Sequence, residues 1–144
     1  MNFTFPLEAL LLRRRAVEDA NREALAKVQR RLDETRRRLG RLESDFAELV
    51  TAWDPNRAGT LAEFERSIAE LRNAASACER EAGEASAALV KAMRDRKALE
   101  LLKKRRFAEY AAREARKEER ELDEANQALC LPSRRAAGRS LPTL

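Results

Sequence analysis

The stretch from Leu25 to Trp53, LAKVQRRLDETRRRLGRLESDFAELVTAW, decides the fold. Leu25, Val28, Leu32, Thr35, Leu39, Leu42, Phe46, Leu49 and Trp53 follow one another in alternating steps of three and four. That is the 3.5-residue repeat of a coiled-coil seam, with charged residues on the remaining faces. The stretch from Leu61 to Ala92 repeats the pattern through Phe64, Ile68, Leu71, Ala75, Cys78, Ala82, Ala85 and Leu89. Between the two lies Asp54-Pro55-Asn56-Arg57-Ala58-Gly59, a cluster of turn formers. A turn this short between two seam-bearing helices predicts an antiparallel hairpin.

Folding the chain about that turn pairs positions whose numbers sum to roughly 113. Leu49 then faces Phe64, Leu42 faces Leu71, Leu32 lies near Ala82, Leu25 near Leu89 and Leu11 near Leu102. Apolar meets apolar along the whole register, often large against small, which lets the helices approach closely. The fold class predicted is all-α. It is a long two-helix antiparallel coiled-coil hairpin, the second helix overrunning the first, with a disordered basic C-terminal tail.

Turn chemistry sets the expected boundaries. The first helix is expected over about 5–53, starting near Thr4 with Pro6 in its first turn, where the missing N–H costs no hydrogen bond. A turn over 54–60 follows. Thr60-Leu61-Ala62-Glu63 has the form of a capping box opening the second helix, expected over about 61–130. Pro132 is expected to close it, leaving 132–144 as a small, polar, basic tail. The hairpin domain is thus placed at 1–131. At about 1.5 Å per residue the first helix is about 70 Å long and the second about 100 Å, so the second overruns by some 20 residues, from Tyr110 to Leu129. That overrun reads as polar nearly all round, the mark of a helix that is either bound to a partner or frayed. Gly40 and Gly83, inside the helices, suggest no function.

Composition agrees and excludes whole classes of activity. Of 144 residues, 30 are Lys or Arg and 25 Asp or Glu, so 38% are charged, against about a quarter in an ordinary soluble domain. With no His, the commonest general base and metal ligand is missing. Two cysteines, Cys78 and Cys130, make neither a four-thiolate zinc site nor a disulfide framework. Cys78 falls on the seam, where a small apolar residue suffices. No run approaches the roughly 20 apolar residues that span a bilayer. The apolar opening, Phe5 to Leu12, has its arginines after it, the wrong order for a secretory signal. A soluble, cytoplasmic protein without catalytic, cofactor-binding or metal-binding residues is expected.

Surfaces must then carry the function. Phe46, Trp53 and Phe64 cluster around the hairpin tip with Leu49, Val50, Ile68 and Leu71. They form either the core that clamps the turn or a docking patch on a rigid end. Phe107 and Tyr110 form a similar pair at the open end. Net charge is +5, but Arg134, Arg135 and Arg139 in the tail supply three of those charges. From Arg13 to Arg41, eleven basic residues stand against five acidic ones, including the runs Arg13-Arg14-Arg15 and Arg36-Arg37-Arg38. Most of these are expected to pair with acids on the second helix. Contact with an acidic protein surface, nucleic acid or lipid headgroups is the alternative use.

The C-terminal stretch Arg96-Lys97-Ala98-Leu99-Glu100-Leu101-Leu102-Lys103-Lys104-Arg105-Arg106, then Tyr110, then Glu118-Glu119-Arg120-Glu121-Leu122-Asp123-Glu124, resembles the FliJ family. The opening Phe5-Pro6-Leu7-Glu8-Ala9-Leu10-Leu11-Leu12-Arg13 is similar to the same family's start. The related YscO proteins of virulence-type secretion share the architecture. The resemblance implies a non-enzymatic component of the bacterial flagellar type III export apparatus. Such proteins are stalk-like coiled coils that insert into the hexamer of the export ATPase (FliI-like), contact the export gate (FlhA-like) and bind export chaperones. They are cytoplasmic and reach the inner membrane only through the gate.

By position, the resemblance places gate contacts at the tip, at Phe46, Leu49, Trp53, Phe64, Ile68 and Leu71. ATPase contacts fall at the open end, at Leu7, Leu10, Arg13, Phe107 and Tyr110. No nucleic acid is expected as a partner. A nucleic-acid-associated coiled coil and a generic coiled-coil scaffold stay open as rival readings of the charge pattern alone.

Overall fold

The computed structural model describes residues 2–52 and 54–139, without the side chains of 131–139. Among the described residues there are two α-helices, a short 3-10 turn and no strand. Helix α1 spans Glu8–Thr51 and α2 spans Ala58–Arg139, with the 3-10 turn Pro55–Arg57 between them. The chain divides into two compact units. One is Leu7–Ala98 and the other consists of Met1–Pro6 with Leu99–Leu144. They are called the hairpin unit and the terminal unit below.

The hairpin unit carries the expected seam. Every position assigned to it between Leu25 and Leu49, and between Leu61 and Ala92, is buried or half-buried. Val28, Leu32, Ile68, Ala75 and Ala92 are the deepest. Cys78 is half-buried and carries a free thiol. Gly40 and Gly83 face open space, so neither is needed for close packing.

Cross-helix ion pairs fix the register independently of the apolar residues. Arg31 meets Glu81 at 2.8 Å, Arg36 meets Glu79 at 3.0 Å, Arg72 meets Glu43 at 3.0 Å and Arg14 meets Asp95 at 3.3 Å. With Arg96–Glu18 the paired numbers sum to between 109 and 115, centred on the value expected from apolar matching. Each exposed pair is worth well under about 1 kcal/mol. Their value lies in opposing a slip, since a shift of one heptad sets unlike neighbours against each of them.

The helix boundaries differ from expectation at three places. Helix α1 starts at Glu8, after Pro6 and Leu7 have formed a turn, and the first ladder bond runs from the Leu11 N–H to the Leu7 carbonyl at 2.9 Å. Residues 2–6 belong to the other unit, where Phe5 is buried, so burial of that side chain replaces helix extension. At the turn, Asp54 is extended (φ −133°, ψ 125°), as a residue before proline must be. Its carboxylate accepts the Asn56 N–H at 3.1 Å. Asp54 therefore caps the 3-10 turn, which runs directly into α2 at Ala58. Thr60 lies inside the helix and is not its cap.

At the far end α2 continues through Pro132 to Arg139, past the expected stop near 130. Pro132 removes one N–H donor from the ladder, while Arg134, Arg135, Ala136 and Ala137 beyond it all favour helix. Of the tail expected to be disordered, 140–144 lies outside the described residues.

The seam holds one fully buried carboxylate. Glu18 is 3% exposed. Its carboxylate accepts from Arg22, one turn along α1, at 2.7 Å and from Arg96 of α2. Removing Arg96 leaves the buried carboxylate held by the exposed Arg22 alone, whereas replacing both Glu18 and Arg96 with apolar residues removes the desolvation cost too. Arg96→Met is expected to destabilise the hairpin by about 2–4 kcal/mol. The double change Glu18→Leu with Arg96→Leu should fall within about 1 kcal/mol of the parent. Urea unfolding followed by circular dichroism measures both, and equal losses in the two variants would contradict this account.

Candidate partner-binding surfaces

The turn end of the hairpin unit gathers most of the expected tip residues on the seam. Ile68 is buried, and Phe46, Leu49, Phe64 and Leu71 are half-buried. Trp53 lies outside the described residues. These side chains hold the two helices together and expose only their outer edges. The fully outward apolar side chain beside them is Val50, 48% exposed. The turn itself shows Pro55, Asn56 and Arg57 to solvent.

The opposite end of the hairpin unit is more open. Leu7 and Leu10 are exposed, as are Leu12 and Val17. Leu10, Arg13, Arg14 and Val17 line one shallow depression. Leu10, Arg13 or Arg14, and Val17 recur at three- and four-residue steps, so one face of the first turns of α1 presents two aliphatic side chains around guanidinium groups. Arg14 is tied to Asp95, while Arg13 makes no ion pair among the described residues.

In the terminal unit the aromatic pair has a partner that the sequence reading did not name. Phe3 packs edge-on against Phe107, with centroids 5.3 Å apart and planes at 78°, and at 5.5 Å against Tyr110. Phe107 remains 54% exposed and Tyr110 is half-buried. The five residues assigned to the open end therefore form two clusters, one in each unit. Leu7, Leu10 and Arg13 belong to the hairpin unit, and Phe107 and Tyr110 to the terminal unit.

The arginines divide as expected only in part. Arg14, Arg31 and Arg36 pair with acids of α2, and Arg38 pairs with Glu34 on its own helix at 3.1 Å. Arg30 and Arg41 instead donate to backbone carbonyls one turn back. Residue type did not reveal the Glu18 layer. Spacing did carry it, because stepping back from Leu25 by four and three lands on Asn21, Glu18, Arg14 and Leu11, each buried or half-buried.

Among the described residues no group of three His, Cys, Asp or Glu side chains is placed to hold a metal ion. No described helix is long and apolar enough to cross a membrane.

An aromatic contact of this geometry contributes about 0.5–1.5 kcal/mol beyond its burial. Phe3→Ala is expected to speed amide hydrogen exchange in residues 2–6, while the exchange of α1 between Val28 and Leu42 stays unchanged. Equal protection of the opening segment in the variant would show that Phe3 does not anchor it.

The comparisons with known proteins bear on which partners such surfaces serve. No curated protein and no solved structure matches the chain. The family model described as flagellar FliJ protein matches residues 3–135 of the 144, covering both helices and the turn. The chain therefore belongs to the flagellar FliJ family.

Proposed function

We propose that this protein is the coupling stalk of the flagellar type III export apparatus, joining the export ATPase hexamer to the export gate and binding export chaperones. Family membership makes it a flagellar export-associated protein; the stalk role goes further. The observation that supports it is the locked register of the hairpin unit. A part that transmits force or rotation must resist sliding of one helix on the other. Here an apolar seam, three exposed cross-helix ion pairs, the half-buried Arg14–Asp95 pair and the Glu18–Arg96 layer all oppose the same slip. Such a stalk works by contact and performs no chemistry of its own. It sits in the cytoplasm and meets the membrane only through the gate.

The two ends of the hairpin unit differ in the way this role requires. In this reading the turn end meets the gate through the outer edges of Phe46, Leu49, Phe64 and Leu71. Ile68 shapes that face from within. The ATPase meets Leu7, Leu10 and Arg13, where two aliphatic side chains flank a guanidinium without an ion-pair partner. Phe107 and Tyr110 add a second ATPase contact from the terminal unit.

The test is the hydrolysis rate of the cognate flagellar ATPase, measured with and without this protein. The parent chain should stimulate hydrolysis and favour the hexamer. Leu10→Asp with Arg13→Glu should weaken the stimulation roughly tenfold at matched concentration, the usual cost of losing anchor residues. Val50→Asp at the turn should leave it intact. No stimulation and no co-elution with the ATPase would reject the stalk role.

A further inference from the structure

The terminal unit carries an apolar ladder that its charged composition hides. Leu101, Ala108, Ala115, Leu122 and Leu129 recur every seven residues along α2, and Ala111, Ala112 and Ala125 lie three and four residues between them. All of these are exposed. The leucines stand out most, at 57%, 64% and 74% for Leu101, Leu122 and Leu129. An apolar residue at every seventh position supplies one of the two seam positions of each coiled-coil heptad; the other is alanine near the centre of this face and charged toward its ends, at Lys104 or Arg105 and Glu118 or Glu119. Phe107 and Tyr110, where Phe3 packs, point about 100° and 150° away from the ladder around the helix. The segment beyond Tyr110 is therefore not polar on every side. It has one unpartnered apolar face.

The charges flanking this face specify what covers it. Lys104 and Arg105 stand beside its N-terminal end, and Glu118 and Glu119 beside the other. All four are exposed, and none makes an ion pair among the described residues. Arg113–Glu109 and Lys117–Glu121 pair within the helix on its other sides. A face that is basic at one end and acidic at the other matches its own reverse. Laid antiparallel, residues whose numbers sum to about 223 come together. Leu101 then meets Leu122 of the second copy and Ala108 meets Ala115. Ala111 and Ala112 meet their own counterparts at the two-fold axis, while Lys104 meets Glu118 and Arg105 meets Glu119. In parallel alignment the same flanks would set like charge against like.

We infer that this face of α2, from Leu101 to Leu122, pairs antiparallel with the same face of a second copy of this chain. The contact is isologous, so each attractive pair occurs twice. Alanines at the centre let the helix axes approach closely, and the leucines close the seam at both ends.

Sedimentation equilibrium of the full chain, at low and at high salt, tests it. The parent should form a dimer that weakens as salt rises. Lys104→Glu with Arg105→Glu should raise the dimer dissociation constant at least about tenfold, because four attractive pairs become repulsive. Glu118→Lys with Glu119→Lys should do the same. The chain carrying all four changes should recover to within about threefold of the parent, since the complementarity is then restored with opposite sign.

A second measurement does not depend on the charges. With Cys78→Ser and Cys130→Ser in place, Ala112→Cys should form a disulfide-linked dimer under mild oxidation. Ala115→Cys, which faces Ala108, should link far more slowly. A chain that stays monomeric at every accessible concentration would overturn the inference. So would a four-change variant no better than either pair. So would charge-reversed chains that remain monomeric but lose a different helical partner.

Discussion

Glu18 sits at the most deeply buried polar position of the seam, and its carboxylate is held by Arg22 on the same helix and Arg96 on the other. In a structure built from one seam, this layer admits one alignment. An all-apolar seam tolerates slips of a heptad at modest cost, because leucine and alanine pack against one another in several registers. A buried carboxylate does not tolerate them, since any shift that separates it from Arg96 leaves it desolvated and undercompensated. The four other cross-helix ion pairs add little stability individually, yet each is satisfied in the same register. The placement of the turn, of the exposed leucines at the start of α1 and of the half-buried aromatics at the turn end follows from that alignment.

Selection for one register suits a protein that works through its surfaces. The hairpin unit turns most of its large apolar residues inward. What remains outside is Leu7, Leu10, Leu12 and Val17 at one end, Val50 near the other, and Val90 on α2. The terminal unit is different, because its exposed leucines and alanines recur at seven-residue intervals, from Leu101 through Ala108 and Ala115 to Leu122 and Leu129. Within one chain, then, one unit has satisfied its seam internally and the other presents a seam without an internal partner.

Much of the hairpin unit was legible in the sequence because its repeat is regular and its partners are apolar. The step pattern from Leu25 to Trp53 and from Leu61 to Ala92 gave both helices, and matching large against small gave the register later found in the ion pairs. The turn was placed correctly but its chemistry was not. Asp54, held extended by Pro55, caps a 3-10 turn that feeds α2, so the capping-box pattern at Thr60 had nothing left to cap. Glu18 and Asn21 were passed over because they are polar, although their spacing continued the seam.

The Leu101 ladder was missed for the opposite reason. Its leucines are separated by alanines and flanked by charges, so local composition outweighed the period. Phe3 and Phe5 carried no periodic signal at all, since they precede α1 and act through tertiary burial. Which exposed residues touch which partner was legible only through family resemblance, because an exposed leucine beside an arginine reads the same whatever binds it.

The most direct test of the account is the register itself, measured in solution by electron–electron spin distances. With Cys78→Ser and Cys130→Ser in place, labels are attached at Ser44→Cys with Ala69→Cys, and separately at Ala26→Cys with Ala87→Cys. All four positions are exposed, and both pairs lie on the same register. The account predicts short, matching distances for both pairs, within about 25 Å, the span of two adjacent helices plus labels. A slip of one heptad displaces one helix about 10 Å along the other and would lengthen both distances together by roughly 2–3 Å, because the shift adds at right angles to the separation. One short and one long distance, or two long ones, would contradict the locked antiparallel hairpin on which the rest depends.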